Sequence, residues 1–99
     1  MYVIREVVNC KPGKVRPMVE KFRAISKVLI EMGQEHLRVL TDVTGEPFWT
    51  IVAEAKVEKI DDFFATEQSL MTNETLRKTM VDYHDLVDRG RREIYRIES

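Results

Sequence analysis

Ninety-nine residues, 43% of them apolar, fit one domain near the lower end of the size at which a chain buries enough surface to fold alone. Sixteen Lys and Arg against seventeen Asp and Glu leave a net charge of -1, which argues against nucleic acid or an anionic membrane as partner. No apolar stretch approaches the roughly 20 residues that cross a bilayer, and the single cysteine, Cys10, has no internal disulfide partner, so a reducing cytoplasm is the expected location.

Tyr2 to Cys10 alternates, with Tyr2, Ile4 and Val8 on one side and Val3 and Val7 on the other, which predicts a strand. "CKPGK" follows. It lacks the second glycine and the Ser or Thr of a phosphate-binding loop, so it reads as the corner that turns a strand into a helix. From Val15 the apolar spacing becomes three and four through Met18, Phe22, Ile25, Leu29 and Met32, a helix stripe ended by Gly33, with Pro17 confined to the first turn. Glu35 to Val43 and Phe48 to Val57 alternate again around the turn signal Thr44-Gly45-Glu46-Pro47, and together they predict an antiparallel hairpin. A helix over Ile60, Phe63, Phe64, Glu67 and Leu70 comes next, with Asp61 and Asp62 at its positive end. A second helical segment capped by Thr72 carries Leu76, Met80, Tyr83 and Val87 and stops at Gly90, before a last strand from Arg91 to Glu98.

This order predicts an α+β fold: a ferredoxin-like four-stranded antiparallel sheet, βαββαβ with the second helix split, and helices on one face. The other face is expected to carry Leu40, Val52 and Ile94 among Arg38, Asp42, Glu54, Arg92 and Arg96. Apolar centres ringed by charges of both signs suit a surface that meets its own copy, so a homodimer through the sheet face is expected.

Strand, KPGK corner, long helix, aromatic-bearing hairpin, paired helices and last strand together resemble the dimeric α/β-barrel superfamily. "YVIREVVNCKPGKVRPMVEKF" is similar to the opening of its NIPSNAP-type members. The resemblance implies a single domain over residues 1–99, pairing as a dimeric α/β barrel. It also implies a small-molecule pocket between sheet and helices, where some relatives act as cofactor-independent oxygenases or isomerases and small monooxygenase-like members belong. Members often place an arginine on the strand face toward the helices. Alternation back from Lys11 puts Glu6 there and Arg5 on the opposite face, so either the register differs by one or a basic site has become acidic.

The pocket candidates are Glu6, Trp49, Tyr83 and His84. His84, at the edge of the helical stripe, is the candidate acid/base, although histidines at such boundaries are commonly structural. Tyr83 and Glu6 would orient a ligand and Trp49 would stack on it; the simpler reading of Tyr83 and Trp49 is as core residues. A Glu6 facing the helices must be paired or protonated. No metal-ligand spacing, nucleophile elbow or dinucleotide fingerprint occurs, so no metal and no cofactor are expected. A small apolar or aromatic compound is the expected ligand, and the alternative is a non-catalytic binding or assembly module.

Overall fold

The structure is a computed structural model describing residues 1–45 and 47–99. β1 (Tyr2–Cys10) leads into α1 (Val15–Glu31), followed by β2 (Arg38–Thr41) and β3 (Thr50–Val57). Then come α2 (Ile60–Met71), α3 (Glu74–Thr79), α4 (Tyr83–Leu86) and β4 (Val87–Arg96). The strands form one antiparallel sheet in the order β2-β3-β1-β4, the ferredoxin-like arrangement that the element order predicts.

The KPGK stretch is a corner. The Lys14 N–H donates to the Lys11 carbonyl at 3.0 Å, with Pro12 between them and Gly13 at φ 78°, the conformation a type II turn requires of its third residue. Pro17 is the third residue of α1, where an N–H would have no partner within the helix. The helix closes at Gly33, φ 82°, with the Gln34 N–H donating to the Leu29 carbonyl at 2.9 Å. Met18 and Phe22 of α1 pack with Val8 and Cys10 of β1, Ile51 of β3 and Leu86 of α4 to form the core. Among the described residues no helix is long and apolar enough to cross a membrane.

The second half departs from expectation in three places. Asn73, whose side chain accepts the Leu76 N–H at 3.0 Å, caps α3, while Thr72 ends α2. The stripe through Tyr83 and Val87 does not continue as a helix: α4 is a single turn and the chain is extended from Val87. Gly90 therefore lies inside β4 rather than ending a helix. A Cβ on it would stand 3.2 Å from the Val7 carbonyl oxygen, so the missing side chain permits a close strand approach. The hairpin strands are also shorter than expected, and their predicted turn runs through Glu46, which lies outside the described residues.

Register fixes the two faces. Glu6 pairs with Ala53 and Arg92, and Ile4 with Ala55 and Ile94, all on the side of the helices. Ile94, Arg92 and Arg96 thus do not belong to the open face where they are expected: β4 alternates as predicted but with the opposite facing, and Ile94 is 39% exposed at the sheet edge. The open face carries Arg5 and Val7, Leu40, Val52 and Glu54, and Arg91, Glu93 and Tyr95. Val7 is buried there and Leu40 and Val52 are half-buried. The charges around them are paired: Arg5 Nε lies 3.2 Å from Glu54, Arg38 lies 3.7 Å from the same carboxylate, and Arg91 lies 2.7 Å from Glu93. The Arg5–Glu54 contact lacks hydrogen-bond geometry, which leaves the buried Arg5 Nε without an acceptor among the described residues.

Candidate functional site: a cavity under the second helix

Along the helix-facing side of β3, the large Ile51 is followed by Ala53 and Ala55. Two small side chains in succession leave space above the sheet. The element that would fill it, α2, buries none of its residues and so bridges the gap instead of packing into it. The result is a cavity of about 740 Å³, within the range of ligand pockets. Ile4 joins the two alanines in its floor, Phe22, Ile25 and Leu29 line it from α1, and Phe63 and Leu70 line it from α2. Glu6 and Tyr83 reach it from β1 and α4.

Glu6 faces the helices, so the sheet position in question is acidic. It is paired: Arg92 Nε, from the neighbouring β4, donates to Glu6 Oε1. The same guanidinium donates to Glu67 of α2 and stands 5.1 Å from the centre of the Phe63 ring. Arg92 is therefore a clasp between sheet and α2, and the bond to Glu67, more than the one to Glu6, raises its pKa above the ordinary guanidinium value. Nothing in the local sequence announces this clasp, because Glu6 and Arg92 are 86 residues apart and meet only through strand register.

Burial, and secondarily the Glu6 carboxylate, push the Tyr83 phenol above its usual pKa, so it is a neutral hydroxyl over the physiological range. Its ring packs against the core cluster, with the His84 ring edge-on to it at 5.4 Å. His84 itself is exposed and does not line the cavity: on the one-turn α4 the preceding residue faces inward and His84 faces out. Trp49 does not line it either. Its backbone, at φ 65°, leaves the extended conformation just before β3 begins, and this puts the side chain 43% exposed at the hairpin end. Of the four sequence candidates the cavity unites Glu6 and Tyr83 and excludes His84 and Trp49.

Two further groups are held by burial. Cys10 is enclosed, and its thiol is pushed up by burial and then by the Asp42 charge, which makes it a weak nucleophile. Lys21 is a buried cation on the apolar side of α1, where its Nζ donates to the Thr79 carbonyl and to Asp82. It ties α1 to the segment between α3 and α4. Among the described residues no three His, Cys, Asp or Glu side chains converge as a metal site would require.

No family model matches this chain, and no curated protein does. Solved structures do. A NIPSNAP-like domain protein from Burkholderia xenovorans superposes with a TM-score of 0.82 at 15% identity, over 99% of this chain and 85% of its own. A NIPSNAP family protein from Agrobacterium tumefaciens gives 0.81 at 14% identity, over 96% and 90%. A proposed antibiotic biosynthesis monooxygenase from Nitrosomonas europaea gives 0.74 at 18% identity over the full length of both chains. The chain thus has the ferredoxin-like α+β fold of NIPSNAP-like and monooxygenase-like proteins, as its opening segment and element order foretell.

Proposed function

We propose that this protein binds a small apolar or aromatic molecule in the cavity between α2 and the sheet. The observation that carries the reading is the pairing of a mostly apolar space of about 740 Å³ with a covering helix that buries none of its own side chains. A structure evolved only to assemble would gain by filling that space, since side chains bordering a gap forfeit packing contacts. Any chemistry there falls to Glu6 and Tyr83, an acceptor and a neutral donor, because His84 lies outside. An oxygenase-like or isomerase-like activity of the kind named for some fold relatives rests on those two groups.

The open face supports a homodimer as the working unit. Val7, Leu40 and Val52 form an apolar centre bordered by both charge signs, and Arg5 has a buried donor in need of an acceptor. Cytoplasmic residence fits the single, unpaired Cys10.

Titration with the neutral dye Nile red tests the cavity. Saturable fluorescence enhancement that disappears in Ala55→Trp, with the melting temperature kept, supports it; an undiminished enhancement in that variant, or none in the parent, overturns it. Sedimentation tests the dimer: a parent that is dimeric and a Val52→Arg variant that is monomeric support it, and a monomeric parent at high concentration overturns it.

A further inference from the structure

Resting on that reading of the cavity, we infer that its ligand carries an uncharged or cationic hydrogen-bond donor at the end nearest Glu6, and that carboxylate and other anionic head groups are excluded. Three observations carry this. Glu6 lines the cavity and accepts from Arg92 through Oε1, so the carboxylate keeps acceptor capacity on its second oxygen. Arg92 is itself committed to Glu6 and Glu67, so it does not offer a free guanidinium to an incoming anion. Among the described residues that line the space, five carry carboxylate side chains and two, Lys56 and Arg77, carry cationic ones.

The physical argument is one of desolvation. An anion entering an apolar space loses its water, and here it would meet a lining richer in carboxylates than in cationic side chains, while the guanidinium bound to Glu6 is already committed. A hydroxyl loses less on entry and donates to a charged acceptor, one of the stronger hydrogen bonds available to a neutral group. An ammonium makes the same bond and gains from the negative lining. The common chemistry is a donor without negative charge on an apolar body. The Tyr83 hydroxyl, on the same side of the space, can bond the same head group as a second contact.

The test is calorimetric titration of the intact protein with three molecules of one shape: 2-naphthol, 2-naphthylmethylamine and 2-naphthoate. The expected result is binding of the first two about tenfold or more tighter than the third. In Glu6→Gln the bias against naphthoate shrinks by about the same factor. Should Glu6→Gln not fold, Glu6→Asp keeps the charge and withdraws the oxygen, and naphthol affinity falls while naphthoate stays excluded. Naphthoate binding as tightly as naphthol to the parent overturns the inference and leaves the cavity reading standing, as does a bias unchanged by either substitution. Failure of all three to bind overturns the cavity reading itself.

Discussion

Replacing Arg92 with alanine removes the clasp on α2 without touching the core. The guanidinium makes two half-exposed ion pairs, with Glu6 and Glu67, and stands over Phe63. Pairs of that kind contribute about 0.2–1 kcal/mol each and an exposed cation–π contact about 0.5–1, so the clasp is worth about 1–3 kcal/mol. Because no α2 side chain is fully buried, the loss falls mainly on that helix rather than on the whole fold. Native-state hydrogen exchange reads this directly. Amides of α2 should exchange about 5- to 150-fold faster in Arg92→Ala, the factor that 1–3 kcal/mol represents. Those of β1 and β3 should change little. The reasoning fails if α2 exchange is unchanged, or if β1 and β3 lose protection as much as α2 does, which would make Arg92 part of the global fold.

Other expectations follow from single side chains. Met18 is fully enclosed, and Met18→Ala should lower unfolding free energy by about 2–5 kcal/mol in chemical denaturation. Gly90→Ala places a Cβ against main chain at 3.2 Å and should cost about 1–3 kcal/mol by the same measurement, with protection lost first along the β1–β4 pairing. The Lys21 hydrogen bond holds the Asp82 carboxyl below its ordinary value of 3.8. The unfolded chain therefore takes up that proton first, and the Asp82 contribution, complete above pH 3.8, should be lost as pH falls below it. Thermal melts of Lys21→Met should show a shallower decline over that acid window than the parent.

Local chemistry made the first half of the fold legible. Proline and glycine in the corner, a seventeen-residue helix with one apolar side and an alternating strand with apolar residues on both sides each specify their element without help from distant chain. Alternation alone leaves the facing of Arg5 and Glu6 open by one residue, and strand pairing decides it for Glu6. The same holds for β4. Its glycine reads as a helix stop when seen beside Tyr83 and Val87, whereas its use is to let β4 approach β1, a fact of pairing rather than of local sequence. The facing of Ile94 depends on the same pairing. Regular structure carries Glu6 and Tyr83 to the cavity, while one left-handed residue redirects the chain at Trp49, which no periodicity reports. The Arg92 clasp and the Lys21 tether join residues 86 and 61 positions apart, and no periodicity reports such partners.

Cys10 closes β1 at the point where sheet, corner and α4 meet, since the Lys11 N–H just beyond it donates to the Leu86 carbonyl at 2.9 Å. A maleimide can reach its sulfur only when the junction of strand, corner and α4 opens around it. With one such atom per chain, the labelling rate is a built-in clock for that event. It needs no engineered probe and stays silent during any movement confined to α2.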